Sequence, residues 1–186
     1  MLEGVVACQR AERTGTIPPV YPLDADMWAD FAVGTAGAAA ALTGLLFVAV
    51  SINLERILAL PGIPARAGMS LILLVAPVFL AGAVLIPGQP TWALGVELIV
   101  IAAIVGPVLI RLADPRHLPS EQPLWSRLTS TVAPVAALTL GSLLAGISLV
   151  AELPGLGGLY WVPAAVALAL AGGLSNAWVL LVEIQR

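Results

Sequence analysis

Five long apolar stretches, separated by short segments rich in proline and glycine, dominate this chain. A helix needs about 20 apolar residues to cross a hydrocarbon core of roughly 30 Å, and each stretch has that length. A soluble helical repeat protein would carry a polar face on each helix, and these stretches carry none. The pattern therefore predicts five transmembrane helices, namely Phe31–Leu54, Ala67–Ile86, Trp92–Leu112, Thr129–Val150 and Leu159–Val182.

Residues that end helices stand between the apolar stretches. Proline lacks a backbone N–H and disrupts a helix, and glycine favours turns. These turn signals are Pro61-Gly62, Pro87-Gly88, Asp114-Pro115 and Pro154-Gly155. We therefore predict an all-α, polytopic membrane bundle over residues 30–186, preceded by a polar tail over residues 1–29.

The composition excludes several other classes of protein. Of the 186 residues, 60% are hydrophobic and only 10% are charged, whereas soluble domains have about 25% charged residues. The net charge of −3 leaves no basic surface for nucleic acid. Cys8 and His117 are the only residues of their types, so neither a disulfide within the chain nor a Cys/His metal site can form. Catalytic and phosphate-binding motifs are missing too, so we expect no enzyme activity, no cofactor and no metal.

Arginine counts predict the orientation, because cytoplasmic loops carry an excess of basic residues. Arginines follow the first and third spans and end the chain, but the loops after the second and fourth spans have none. We therefore expect the N-terminus outside and the C-terminus in the cytoplasm. The arginines that set this orientation are Arg56, Arg66, Arg111, Arg116, Arg127 and Arg186.

The polar tail contains two arginines on the side opposite to this prediction, Arg10 and Arg13. Residues 1–26 have no apolar core of the kind found in signal peptides. Met27 comes shortly before the first span and is an alternative start for the chain. A start at Met27 would remove both arginines and leave the predicted orientation consistent.

Small residues predict where the helices pack, since lipid is as apolar as leucine and close backbone approach holds membrane helices together. Several spans place small residues on one face at a helical spacing of 100°. In the first span this small-residue face comprises Gly34, Gly37, Ala38, Ala41 and Gly44. The corresponding sets in the fourth and fifth spans are Pro134, Ala137, Gly141, Ala145 and Ser148, and Ala165, Ala169, Gly172 and Gly173. We expect these faces to form helix–helix seams.

The first span ends in the polar stretch SINLERIL, Ser51–Leu58. If the helix continues, Glu55 and Arg56 fall on its small-residue face and Ser51 lies just beside that face. Asn53 lies about 60° outside it. Arginine at a cytoplasmic helix end is also expected from topology alone, so the stretch is either a packed polar site or a helix end in water.

A second polar residue, Asn176, continues the small-residue face of the fifth span. The first and fifth spans run in the same direction across the membrane. If they are neighbours, Asn176 lies near Ser51 or Asn53, and Arg56 lies near Glu55 or Glu183. The sequence thus predicts a polar cluster at the cytoplasmic end of the bundle.

Glu97 is the acidic residue that lies deepest in a predicted span. It follows Trp92 by five residues, which places it roughly 7–8 Å deeper at 1.5 Å per residue. An ionisable group at that depth is costly and often functional, and a carboxylate there suits a proton or cation site. The small residues Gly95, Ala102 and Gly106 face almost the opposite way, which favours self-association around Glu97. The alternative is a carboxylate that reaches the outer headgroups.

The block AGAAAALTGLLFVAVSINLERIL, Ala36–Leu58, resembles the first helix of a group of small bacterial membrane proteins of unknown function. The later GVEL, Gly95–Leu98, fits the same group. The resemblance implies a bacterial inner membrane and five helices, and it brings no activity and no set of site residues.

Two functions follow as hypotheses. The first is a homo-oligomeric channel or transporter for ions or protons. The polar groups along its path would be Glu97 and the inner polar residues Ser51, Asn53, Arg56 and Asn176. The alternative is a non-catalytic adaptor or modulator that binds another membrane protein through its small-residue faces. Few polar residues lie deep in the spans, which argues against transport of larger hydrophilic solutes.

Overall fold

The structure is a computed structural model that describes residues 23–113 and 131–185. These residues form helices and turns, and five of the helices are long and apolar enough to cross a membrane. The predicted spans are confirmed as helices to within a few residues, apart from Thr129, which lies outside the described residues together with Arg116, His117 and Arg127. The helices are α1 (Ala29–Ile52), α2 (Leu54–Ala59), α3 (Ile63–Val84), α4 (Thr91–Leu112), α5 (Ala133–Val150) and α6 (Trp161–Gln185).

Helix α3 is the centre of the bundle. It packs against α1, α4 and α6, while α5 lies between α4 and α6. In their most apolar stretches, 61% of the residues of α3 are buried but only 11% of those of α1. The side chains of Met69, Leu73 and Leu80 on α3 are fully buried in this core. Helix α1 therefore lies at the edge of the bundle, and most of its surface is not covered by other described residues.

Helices α4 and α5 cross closely at two glycines. A Cβ atom built on Gly95 would lie 2.8 Å from the carbonyl oxygen of Gly146, and one on Gly146 would lie 2.7 Å from that of Gly95. Real Cβ atoms do not approach a carbonyl so closely, so both positions require glycine. The prediction that the small face of the third span packs is confirmed. Gly146, its partner on α5, lies outside the predicted set of residues.

The predicted seams of the fourth and fifth spans are also confirmed. Gly141 on α5 lies against Ala165 on α6, where an added Cβ would come within 2.8 Å of the alanine Cβ. Gly172 on α6 accommodates the ring of Pro134. In both places the missing side chain lets the helices approach, as expected for packing in lipid.

The prediction for the first span is wrong for packing among the described residues. Its small-residue face is exposed, and Cβ atoms added to Gly34, Gly37 and Gly44 would meet nothing within 4 Å. Helix α1 instead buries Ala32 and Ala39 in its contact with α3. The reason is that residues 36–41 are small on every side of the helix, so residue size does not select one face.

Candidate functional site

The polar stretch at the end of the first span does not continue the helix. Helix α1 ends at Ile52, and Asn53 leaves helical geometry with φ −107° and ψ 17° before α2 begins at Leu54. A helical projection carried through Asn53 therefore fails. Glu55 and Arg56 are exposed instead of facing the bundle, and Ile57 is the residue of α2 that is buried.

Two polar side chains at this break turn back onto their own helix. The hydroxyl of Ser51 donates to the carbonyl of Phe47 at 2.8 Å, and the amide of Asn53 donates to that of Ala49 at 2.9 Å. Such local hydrogen bonds compete with regular helix geometry and favour a bend or an end. Ser51 is exposed and Asn53 half-buried, so both have a structural role at the helix end.

The cleft at this break is formed by one segment. It has a volume of about 420 Å³ and is lined by the consecutive residues 51–56. Because the lining comes only from the end of α1 and the start of α2, which are consecutive in the chain, the cleft is a surface groove and not a pocket between packed helices. This groove therefore does not itself bring Asn176 to SINLERIL, and Arg56 has an interaction partner of its own.

Asn176 is buried on α6, and its neighbour Ala177 belongs to an apolar cluster that includes residues of α1, α2 and α3. It is 2% exposed and stands between Gly173 and Ala177, two residues of α6 that pack on α3. A Cβ on Gly173 would come within 2.9 Å of Leu74 on α3, which sets the two antiparallel helices in register. Counting back from this contact places Asn176 level with Ser70, about one turn further towards the predicted cytoplasmic end.

Arg66 is a buried polar residue that the sequence prediction placed in a loop. The structure places it inside α3, where its side chain is only 4% exposed and its carbonyl accepts from the hydroxyl of Ser70 at 2.9 Å. Arginine stays charged in proteins, so burial requires compensating partners, and both Arg66 and Asn176 have them. Pro64 in the first turn of α3 is the sequence signal that a helix had begun before Arg66.

The buried polar set on the inner half of the α3–α6 seam is thus Arg66, Ser70 and Asn176. Glu183, the other partner considered for Arg56, has a side chain outside the described part of the structure. Polar groups buried in this way stabilise a unique packing when they are satisfied. We assign these three residues a structural role at the seam.

Glu97 lies on α4 at the border between the core and the outer surface of the bundle. It is the seventh residue of the helix, about 9 Å from Thr91 at 1.5 Å per residue. Leu94 and Leu98 on one side are fully buried, whereas Val100, one turn further on, is 48% exposed. The residue itself is half-buried.

One oxygen of the Glu97 carboxyl group has no hydrogen-bond partner. Its Oε2 atom is buried, and no donor contacts it among the described residues. Buried polar atoms in folded proteins are nearly always paired, so the carboxyl oxygen has room for a partner that is not among the described residues, such as a proton, a cation or a second protein. The described residues contain no group of three or more His, Cys, Asp or Glu side chains that could hold a metal ion. Glu97 is therefore not part of such a cluster there.

Other clefts in the described structure lie away from Glu97. A cleft of about 420 Å³ at the predicted outer end is lined by polar residues that include Asp24, Asp26 and Gln89. A narrow apolar cleft between α1 and α6 is bordered by Trp28, whose indole nitrogen is the other buried polar atom without a partner in the described residues.

The comparisons with known proteins give no family assignment. No protein-family model, no curated protein and no solved structure matches the chain. The bacterial origin and the inner membrane implied by the resemblance of Ala36–Leu58 therefore stay predictions. The structure itself establishes an all-helical bundle, over residues 23–113 and 131–185, with five helices long and apolar enough to span a membrane.

Proposed function

We propose that this chain is a multi-pass protein of a bacterial inner membrane, with its N-terminus outside and its C-terminus in the cytoplasm. In this proposal it forms a homo-oligomer that passes protons or small cations, and Glu97 binds the ion in transit. The observation that carries the proposal is the buried, unpaired Oε2 atom of Glu97 within an apolar membrane-spanning helix.

The energetic cost of Glu97 supports a functional role. Acidic and basic residues inside a membrane helix are costly, up to about 2.5–3.5 kcal/mol each at the helix centre on insertion scales, and such residues commonly mark ion pathways. Glu97 forms no hydrogen bond through Oε2 that would offset this cost within the described chain. An exchangeable ion would provide the missing partner.

The position of Glu97 supports a pathway between chains more than one through a single chain. The centre of the bundle is filled by closely packed side chains such as Met69, Leu73 and Leu98, each 0% exposed. Glu97 stands instead at the rim of α4, next to the exposed residues Val96 and Val100. A second copy packed against this rim would enclose the carboxyl group in an interface.

The proposal is tested with purified protein in liposomes, where ion flux is followed under imposed gradients of protons, sodium and potassium. We expect flux that Glu97→Gln abolishes and Glu97→Asp retains at least in part, because aspartate keeps the carboxyl group. Glu152→Gln is the matched control, since Glu152 is exposed in the turn after α5. Liposomes that stay tight to all three ions would contradict the proposal.

The second candidate, a membrane adaptor, is favoured by the exposed small-residue face of α1. Glycine in a helix interior costs up to about 1 kcal/mol relative to alanine, and the chain's own packing makes no use of Gly34, Gly37 and Gly44. A helix of another membrane protein could approach this face closely.

The adaptor function is tested by mild solubilisation followed by identification of co-purifying membrane proteins. Gly37→Leu should release a genuine partner, whereas Gly82→Leu should not, because Gly82 is equally open but lies on α3. A stable complex that is lost with Gly37→Leu and kept with Glu97→Gln would favour the adaptor over the ion pathway.

A further inference from the structure

We infer that the apolar cleft between α1 and α6 binds a membrane lipid, whose ester carbonyl oxygen accepts a hydrogen bond from the indole N–H of Trp28. Trp28 stands directly before α1 and borders this cleft. The lining of the cleft includes no residue of α4, the helix that carries Glu97. The lipid site is therefore separate from the proposed ion pathway and does not depend on it.

The cleft forms because α1 and α6 both pack on α3 but contact each other little. Helix α3 provides the base of the cleft, and α1 and α6 provide its two sides. The residues that form these three surfaces are Ala81 and Val84 on α3, Phe31 and Thr35 on α1, and Val162 and Val166 on α6. Apart from the hydroxyl of Thr35 these side chains are hydrocarbon, so the cleft favours an apolar molecule.

The size and position of the cleft suit the ester group of a lipid. The cleft has a volume of about 10 Å³, which is close to the space that a single water-sized group needs. A carbonyl oxygen is of that size, and the acyl chain attached to it remains in the surrounding lipid. The cleft lies beside the start of α1 and the end of α3, where spanning helices reach the boundary between hydrocarbon and headgroups.

The indole nitrogen of Trp28 is the donor at this cleft. Its Nε1 atom is buried, and no acceptor contacts it among the described residues. A buried tryptophan N–H usually finds a hydrogen-bond partner. Trp161, at the same end of the bundle, shows the usual arrangement, since its Nε1 donates to the carbonyl of Leu156 at 2.6 Å. The N–H of Trp28 thus has room for an acceptor that is not among the described residues.

Two aromatic rings position the indole ring of Trp28. Its centroid lies 5.1 Å from that of Tyr160 and 6.1 Å from that of Phe31, and both pairs are edge-to-face. Such pairs stabilise a defined ring orientation. Phe31 belongs to α1 and Tyr160 precedes α6, so the indole ring is supported from both sides of the cleft. A donor that is already held in place loses little conformational freedom when it binds.

The charge of the surroundings favours an uncharged acceptor over an anion. The described residues that line the cleft carry no charge, and burial of a phosphate or carboxylate without a countercharge is costly. The charged residues nearest to Trp28 in the sequence are Asp26 and Asp30, two exposed carboxylates that disfavour an anion further. An ester carbonyl is a neutral acceptor attached to an apolar chain. It therefore matches a site with apolar walls and one N–H donor that fixes orientation.

The test places the isotope-labelled full-length chain in nanodiscs of an ester-linked phosphatidylcholine or of its ether-linked analogue, which lacks the carbonyl groups. NMR resolves the indole N–H signals, and that of Trp28 is identified by its contacts with the rings of Phe31 and Tyr160. We expect this signal to shift between the two lipids, whereas that of Trp161, bonded within the chain, stays in place. A Trp28 signal that is the same in both lipids would overturn the inference. The comparison needs no variant, so it does not depend on how a substitution affects folding.

Lipid retention provides a second measurement. Native mass spectrometry compares how strongly the purified chain retains the ester lipid and the ether lipid. We expect a preference for the ester of roughly 2- to 12-fold, the factor that corresponds to one neutral hydrogen bond. Trp28→Phe keeps an aromatic ring but has no N–H, so it should abolish the preference. Trp92→Phe is the matched control and should keep it, because Trp92 is 59% exposed on α4. An unchanged preference in Trp28→Phe would contradict the assigned donor. Neither measurement depends on ion flux.

Discussion

The close crossing of α4 and α5 predicts that a single methyl group added at Gly146 destabilises the bundle. In Gly146→Ala the new Cβ would lie 2.7 Å from the carbonyl oxygen of Gly95 and 2.7 Å from Cγ1 of Ile99. The isoleucine side chain can rotate away, but the carbonyl oxygen belongs to a regular helix and cannot. The two helices must therefore separate by roughly 0.5–1 Å to restore ordinary contact distances.

The expected loss in the free energy of unfolding is the difference between two effects. Overpacking of a close contact typically costs about 1–3 kcal/mol. Alanine regains up to about 1 kcal/mol of helix propensity over glycine. We therefore expect Gly146→Ala to lower the free energy of unfolding by about 1–2 kcal/mol. Gly37→Ala is the matched control, because its new methyl group meets open space and should leave stability unchanged or slightly raised.

Reversible unfolding in mixed detergent micelles, followed by circular dichroism, measures both variants. The double variant Gly95→Ala/Gly146→Ala should cost less than the sum of the single variants, because one separation of the helices relieves both contacts. Equal stability of Gly146→Ala and the parent chain would refute the close crossing. Equal losses in Gly146→Ala and Gly37→Ala would show that the effect does not come from this contact.

Three further predictions concern other seams and the orientation. Gly172→Ala should destabilise the bundle by about 1–3 kcal/mol, because its methyl group would overlap Pro134, and Pro134→Ala should recover part of the loss. Ser148→Ala should lower the free energy of unfolding by about 1–3 kcal/mol, because the buried hydroxyl bonds the carbonyl of Leu153 at 2.7 Å and the N–H of Gly158 at 3.1 Å. A cysteine introduced by Pro87→Cys, in a background without the native cysteine, should react with an impermeant thiol reagent from outside the cell.

Each of these predictions has a result that contradicts it. An unaffected Gly172→Ala variant would mean that α5 and α6 are further apart than the structure shows. For the serine, Ser51→Ala is the comparison, since that hydroxyl is exposed and should change stability by no more than about 0.5 kcal/mol. Equal effects at Ser51 and Ser148 would argue against the buried hydrogen bonds. Reaction of Pro87→Cys only after lysis would reverse the predicted orientation.

The number and extent of the long helices could be predicted from the sequence because they depend on local properties. Each apolar stretch is long enough to span a membrane, and proline and glycine mark the turns, as at Pro61-Gly62 and Pro87-Gly88. The seam of the fifth span was predictable because both of its glycines fall on one face, although Ala164, Ala167 and Ala171 lie on other sides of the helix. There the predicted residues Gly172 and Gly173 are buried against neighbouring helices.

The face of α1 and the polar cluster could not be predicted for reasons of geometry. Residues 36–41 are small all around the helix, so shape complementarity with α3 decided which side is buried. The projection of Glu55 and Arg56 assumed an unbroken helix, but the side chain of Asn53 caps a carbonyl one turn back and the helix ends there. Arg66 was misplaced because the second span was predicted to begin one residue after it.

The depth of Glu97 could be predicted from its distance along the span, whereas its surroundings needed the structure. Periodicity placed Gly95 and Gly106 opposite to it, and both are buried as expected. The sequence could not show that Oε2 lacks a partner, because that depends on the neighbouring helices. The proposed function rests on this atom.

The central claim is tested most directly by an experimental structure of the assembled protein in a lipid nanodisc, with its oligomeric state resolved. We expect several copies, with Glu97 of each at an interface between chains and ordered water within hydrogen-bond distance of its carboxyl group. A single copy, or an assembly in which the Glu97 carboxyl group faces only acyl chains, would contradict its role in passing ions.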